Sequence, residues 1–417
     1  MDKIRIQGPC RLAGRVRASG AKNAVLPEMA ATLLVDGPVT LRNVPVVRDV
    51  QTMIKVLRPL GVQEAALDGD TLRVQGGTNG EAQAPYDLVR TMRASILVLG
   101  PLLARLGRAK VSLPGGCAIG ARPIDYHIEA LRRMGASIEI EHGYVVASCP
   151  RLQGAEIVFA DRSVTGTENI MMAACLAEGR TVLKNCALEP EVQDLARFLN
   201  ACGARIEGAG SGRIVIDGVV RLHGTEHRVI PDRIETGTFL IAAAATRSGI
   251  TVERCDAAHL EAVLDKLKEC GVGLQIDSDS ITVGQDGPLR AANVTTRPYP
   301  DFPTDLQAQF MVLMTRAEGV SIVTETVFEN RFMHVGELRR MGARIVVDGQ
   351  TAIVAGPSPL SGAPVMASDL RASACLIVAG LAAEGETVIN RAYHIDRGYE
   401  KVETKFQALG ARIERIS

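Results

Sequence analysis

The most chemically loaded stretch of the chain is Ser112-Leu-Pro-Gly-Gly-Cys-Ala-Ile-Gly-Ala-Arg-Pro-Ile-Asp-Tyr-His127. Glycines at 115, 116 and 120 and prolines at 114 and 123 interrupt helix and strand alike, which places Cys117 on an expected mobile loop. Arg122 follows by five residues and His127 by ten, basic company that favours a thiolate. A sulfur presented beside an arginine suits acid/base or covalent work on an anionic substrate. The competing account is a small buried hydrophobe, the usual fate of a cysteine. Two adjacent glycines argue against a packed core position there.

Other polar residues fall just before or inside expected first turns of helices. These are Lys22-Asn23, Thr91-Met-Arg93-Ala-Ser95, Arg122-Pro-Ile-Asp125, Ser163-Val-Thr-Gly-Thr167, Asp232-Arg-Ile-Glu235, Pro303-Thr-Asp305, Asn330-Arg331, Asp369-Leu-Arg371 and Asp396-Arg397. Helix N-termini present free N–H groups and a positive dipole end, which suit phosphate or carboxylate. Asp232, Asp369 and Asp396 have a second account as plain N-caps. A cation at a helix start opposes the dipole at a cost of about 0.3–1 kcal/mol. Its recurrence reads as preparation for a bound polyanion.

The elements that carry these residues repeat. Six helical patterns end in an apolar residue, a glycine and a small residue, at Gly61, Gly135, Gly203, Gly271, Gly342 and Gly410, and a strand follows each. A second series, Gly37, Gly107, Gly179, Gly249, Gly319 and Gly385, ends apolar helices and opens β-branched strands. The chain therefore reads as six units of about 70 residues, each helix–strand–helix–strand–turn–strand. Three units make one domain of ordinary size. Residues 21–230 are expected to form a first lobe with the Cys117 loop, and residues 1–20 plus 231–417 a second. Residues 1–20 are expected to be a strand pair that completes the last unit. The chain then crosses between lobes twice, near residues 20 and 230, with the active site expected in a cleft between them.

Bulk properties bound the class. Lys+Arg and Asp+Glu both total 47 in 417 residues, so no basic excess favours nucleic-acid backbones. Nine scattered cysteines without a Cys-x-x-Cys pair suggest neither a disulfide framework nor a zinc ribbon. The N-terminus lacks a signal-peptide core, and no apolar run reaches the roughly 18 residues that span a bilayer. The chain reads as reduced, soluble and cytoplasmic.

Gly20-Ala-Lys-Asn23, Thr91-Met-Arg-Ala-Ser95, Leu113-Pro-Gly-Gly-Cys-Ala-Ile-Gly-Ala-Arg-Pro123, Phe302-Pro-Thr-Asp305, Thr324-Glu-Thr-Val-Phe-Glu-Asn-Arg331 and His394-Ile-Asp-Arg-Gly398 closely resemble the bacterial UDP-N-acetylglucosamine 1-carboxyvinyltransferases. The likeness runs from residue 2 to the last strand. It implies the α/β fold of the enolpyruvyl transferase superfamily, a two-lobed inside-out barrel of six units. It also implies transfer of enolpyruvyl from phosphoenolpyruvate to the sugar 3′-hydroxyl by addition and elimination with release of phosphate, the first committed step of peptidoglycan synthesis. No metal, cofactor, nucleic acid, membrane insertion or obligate protein partner is implied.

Residue by residue, the resemblance makes Asp305 the base near the sugar hydroxyl, where a helix N-cap is the alternative. Cys117 becomes the general acid, the carrier of a phosphoenolpyruvate adduct and the target of the epoxide fosfomycin. Lys22, Arg122 and Arg397 match the clamp on phosphoenolpyruvate. Arg93 is placed near the nucleotide and Arg371 near the lobe interface. Asn23, Arg122, Pro123, Ile124, Asp125, Tyr126, Arg162, Ser163, Val164 and Val327 match positions that contact the UDP-sugar. Ser163-Val-Thr-Gly-Thr167 departs from an expected Ser-Val-Gly-Ala-Thr, which loosens the uridine-side assignment. His127 and His394 are read as structural.

Three other readings compete: a non-catalytic sugar-nucleotide-binding paralogue, an RNA-end-processing enzyme and the sister shikimate-pathway transferase. The presence of Lys22, Cys117, Asp305 and Arg397 argues against the first. Only 3% aromatics and zero net charge argue against the second. The loop cysteine argues against the third.

Overall fold

The structure, a computed structural model, describes residues 2–76, 82–84, 86–89, 92–113, 124–284 and 287–416, and of Arg93 the backbone only. Cys117, Arg122, Pro123 and the Arg93 side chain, all singled out above, lie outside the described residues. The described chain divides into two compact units, residues 2–19 with 231–416, and residues 20–113 with 124–230. Each has its own apolar core.

In the unit holding residues 231–416, three helices pack on one another: Arg233–Ala245, Gln307–Arg316 and Leu370–Ala382. Every residue of Leu370–Ala382 is buried, as is every residue from Ile234 to Ala245. A helix that is apolar all round has no face to give to water and must be enclosed. Half-polar sheets enclose it here, so the helices lie inside and the strands outside. In the other unit, Val164–Ala174 packs on both Lys22–Ala31 and Leu99–Leu106.

Each sequence repeat builds a four-stranded sheet. In one, Val294–Thr296 runs parallel to Gly319–Glu325, which pairs antiparallel with Thr351–Gly356 and through it with Arg344–Asp348. This corrects the expected unit: a short strand precedes the first helix and joins the second strand by a βαβ crossover. Residues 1–20 are also corrected, because they are not a strand pair. Lys3–Gly8 inserts between Gly385–Asn390 and Ile413–Ile416, antiparallel to both. Ala13–Arg17 instead runs parallel to Gly249–Glu253 and leads the fourth sheet. Glu226–Arg228 likewise leads the first, beside Pro38–Arg42.

The first glycine series behaves as read, all six with φ between +84° and +105°. The second departs once. Gly249 begins a strand, and Arg247 makes the left-handed turn with φ +51°.

Candidate active site

Asp305 sits in the 3-10 turn Thr304–Leu306 that leads into Gln307–Arg316. Its carboxylate does not cap that helix. Asp305 Oδ1 accepts a hydrogen bond from Arg331 Nη2 at 2.7 Å, and Oδ2 accepts one from Arg371 Nη2 at 2.6 Å. Both arginine side chains are buried, at 4% and 7% exposure, whereas Asp305 keeps 25%. Two guanidiniums fix the plane of the carboxylate.

Each arginine is itself supported. Arg371 lies in the first turn of Leu370–Ala382, where Asp369 accepts from the Arg371 and Ala372 N–H groups at 2.9 and 3.1 Å. Its guanidinium faces the Tyr399 ring at 5.5 Å. Tyr399 Oη in turn meets Thr238 Oγ1 at 2.8 Å and receives Gln309 Nε2 at 3.3 Å. Burial alone would lower the Arg371 pKa, but the charges of Asp305 and its neighbours raise it. Arg331 packs over the Phe328 ring at 5.3 Å.

Val327 follows the strand Gly319–Glu325 and is half-buried in a loop. Arg397 closes the 3-10 helix Ala392–Arg397, half-buried. The expected helix start at Asp396-Arg397 is therefore corrected to a helix end, and Asp396 pairs with Arg415 at 2.6 Å rather than capping. Asn330-Arg331 falls in the turn before Val335–Arg340. His394 stacks on Tyr393 with ring centroids 4.3 Å apart, and its buried Nδ1 has no hydrogen-bond partner among the described residues. It is thus structural in packing but not fully satisfied.

In the other unit, Lys22 and Asn23 open the helix Lys22–Ala31, Asn23 exposed. Its entry is fixed by Gly20, where a Cβ would lie 1.6 Å from the Asn43 carbonyl oxygen, so no larger residue fits. Lys22 Nζ stands 3.2 Å from Asp49 Oδ2. Lys22 and Arg371, two of the cations at helix starts, thus each have a carboxylate of the protein beside them. Ile124 precedes the helix Asp125–Arg133, with Asp125 exposed and Tyr126 Oη donating to Asp161 Oδ2 at 2.8 Å. That bond, with burial, raises the Tyr126 pKa. Arg162 is exposed, and Ser163 caps Val164–Ala174 by accepting from Gly166 N–H at 3.1 Å. His127 is buried beside Asn169 Nδ2 at 2.8 Å, and burial lowers its pKa to about 4.

Among the described residues, one group has the ligand types of a metal site: Glu28, Asp194 and His227, with atoms within 4.8 Å of one another. Its charges are already shared internally. His227 Nε2 lies 3.2 Å from Asp194 Oδ1 and 3.5 Å from Glu28 Oε1. Asp194 also accepts from Arg197 Nη2 at 3.1 Å and Ile230 N–H at 3.0 Å. Burial raises the Glu28 pKa to about 8.

Two residues around Asp305 had no assigned role in the sequence: Arg331 and Glu325 both stood inside a quoted motif, Thr324 to Arg331. In the other unit, Asp49, the partner of Lys22, carried no motif. A buried arginine needs a carboxylate, and that pairing was the available signal.

Helices enclosed by six four-stranded sheets, with a carboxylate held by two arginines at the start of one of them, define a class. The chain belongs to the EPSP synthase (3-phosphoshikimate 1-carboxyvinyltransferase) family, whose model matches residues 6–406. Within it, the chain is 56% identical over 421 residues to UDP-N-acetylglucosamine 1-carboxyvinyltransferase of Koribacter versatilis (strain Ellin345), an alignment covering 100% of this chain and 97% of that protein. The crystal structure of the enolpyruvyl transferase NikO from Streptomyces tendae superposes with TM-score 0.89 at 27% identity, over 99% of this chain and 98% of that one. EPSP synthase from Acinetobacter baumannii shares the fold, with TM-score 0.77, 19% identity and full coverage of both chains.

Proposed function

We propose that this chain transfers the enolpyruvyl group of phosphoenolpyruvate to the 3′-hydroxyl of UDP-N-acetylglucosamine, releasing phosphate and supplying peptidoglycan synthesis in the cytoplasm. The observation that carries the reading is 56% identity, along the whole chain, to a transferase of that name. The RNA reading has no comparable support. The shikimate reading rests on a likeness at 19% identity that speaks for the fold alone.

The proposed chemistry assigns each step to a residue type present. As the sugar oxygen bonds to C2 of phosphoenolpyruvate, its proton passes to the Asp305 carboxylate, and C3 gains a proton from the Cys117 thiol. The tetrahedral adduct then loses a proton from C3 to the Cys117 thiolate. The C2–O bond to phosphate breaks with its electron pair leaving on phosphate, and the proton held on Asp305 passes to the released phosphate or to solvent. Asp305 suits the role because Arg331 and Arg371 fix its direction while a quarter of its surface remains open. Lys22, Arg122 and Arg397 hold the phosphate and carboxylate of phosphoenolpyruvate, and Arg93 and Arg371 extend the basic lining. Asn23, Pro123, Ile124, Asp125, Tyr126, Arg162, Ser163, Val164 and Val327 contact the sugar nucleotide.

An acceptor comparison tests this at one phosphoenolpyruvate concentration. Turnover with UDP-N-acetylglucosamine and none with shikimate 3-phosphate is expected. The reverse preference would replace the reading with the sister reaction. Fosfomycin should add its mass once, at Cys117, and an intact mass without adduct would contradict the cysteine's role.

A further inference from the structure

We infer that Glu325 is a positioning residue that sets the direction of the Asp305 carboxylate, an inference that rests on the proposed transferase reading. Glu325 ends the strand Gly319–Glu325 and is 1% exposed. Four donors converge on it from three segments. Oε1 accepts from Thr296 Oγ1 at 2.7 Å, from Val327 N–H at 2.8 Å and from Phe328 N–H at 3.1 Å. Oε2 accepts from Thr304 Oγ1 at 2.8 Å.

Those donors flank Asp305 on two routes. Thr304 is its covalent neighbour in the 3-10 turn, so the Thr304 bond fixes the backbone from which the carboxylate projects. Phe328 carries the ring beneath Arg331, the guanidinium that holds Asp305 Oδ1. One buried carboxylate thus ties the turn that bears the base to the loop that bears one of its two clamps. The same bonds fix the Val327 backbone, which is assigned to the sugar nucleotide.

A glutamate suits this task better than its amide. Both oxygens accept here, whereas a glutamine keeps one acceptor and either turns an N–H₂ group toward the N–H cluster or reverses the Thr304 bond. A carboxylate buried in a core is also costly to retain unless its donors are complete. Thr326 reinforces the arrangement, because its N–H and Oγ1 bond back to Thr296 at 3.1 and 2.5 Å. The mechanism proposed above uses none of these groups directly. Their effect on rate comes through orientation, where displacement of a reacting group by about 1 Å costs up to ~100-fold.

The test uses the full-length protein with phosphoenolpyruvate and UDP-N-acetylglucosamine. Thr304→Val removes one bond at constant shape, Thr304→Ser keeps the hydroxyl, and Glu325→Gln replaces one of the two acceptor oxygens by a donor. Thr304→Val should lower kcat about 10-fold with KM for the sugar nucleotide changed less than about 2-fold, and Thr304→Ser should restore turnover. Glu325→Gln should also lower kcat, and its cost and that of Thr304→Val should combine to less than their sum, because both act on the Thr304 bond. Unchanged kcat in Thr304→Val, with only a lower Tm, would overturn the inference, as would Thr304→Ser failing equally. Should Glu325→Gln not fold, the threonine pair decides alone. A wild-type protein inactive with these substrates would strike the transferase reading instead. A crystal structure of Thr304→Val then decides the geometry without turnover: an Asp305 carboxylate shifted off Arg331 and Arg371 supports the inference, and an unmoved one overturns it.

Discussion

The two units each bury a mixed cluster of carboxylates and bases, and the clusters differ in how much water reaches them. Glu28, Asp194 and His227 are sealed, with side chains 0%, 1% and 13% exposed. Asp305, between Arg331 and Arg371, is 25% exposed while its partners are buried. A sealed cluster can trade protons only within itself, so it serves the fold. A cluster whose central carboxylate reaches solvent can take a proton from a ligand. The difference separates structural from chemical charge pairs more sharply than residue type does.

The largest expected effect falls on the open cluster. Asp305→Ala should lower kcat by about 10²–10⁴, the usual worth of a general base, while sugar-nucleotide binding stays measurable. It also leaves two buried guanidiniums short of a partner, at about 1–3 kcal/mol of stability. Wild-type turnover would collapse the distinction drawn between the clusters.

The sealed cluster should show the opposite pattern. Asp194→Asn removes the carboxylate nearest His227 and should cost about 3 kcal/mol in denaturant unfolding, the scale of breaking a buried pair, with kcat nearly unchanged. A loss of turnover without a loss of stability would contradict the structural role.

A pH series sharpens the comparison further. Burial raises Glu28 to about 8, so the folded state keeps a proton that the unfolded chain releases, and stability falls as pH climbs toward 8. Burial would lower His227, but hydrogen bonds to Asp194 and Glu28 outweigh it and raise it to about 9. That contribution is complete below the ordinary histidine range and is lost as pH rises through 9. Asp194 is held down by His227 and the Ile230 N–H despite burial, so its contribution is lost only on acidification. Tm should therefore decline from pH 6.5 to pH 9. Glu28→Gln should flatten that decline while changing stability at pH 6.5 by less than about 1 kcal/mol, since glutamine resembles the protonated acid there. An unaltered slope in Glu28→Gln would assign the dependence to His227 and to other buried acids, such as Glu168 and Glu235.

Much of the fold was legible because glycine punctuates it. Gly61, Gly135, Gly203, Gly271, Gly342 and Gly410 mark six helix ends, and each takes the left-handed φ that other residues resist. The leading strands were not legible, because they are as short as Gln83–Ala84 or as polar as Glu226-His-Arg228. Their pairing comes from sheets built elsewhere in the chain, and the role of Lys3–Gly8 in the last sheet spans about the whole sequence. Asp305, Arg371 and Lys22 were found by motif, but their pairings, Asp305 with Arg371 and Arg331 and Lys22 with Asp49, were not. Ion pairs such as Arg371 to Asp305, 66 residues apart, leave no periodic trace.

The central claim is enolpyruvyl transfer, and the most direct measurement is phosphate release from phosphoenolpyruvate with and without UDP-N-acetylglucosamine, with the product weighed. Sugar-dependent release, matched one for one by a sugar nucleotide heavier by an enolpyruvyl group, is the predicted result. Tight binding of the sugar nucleotide without phosphate release would contradict it and return the chain to the class of non-catalytic binding proteins.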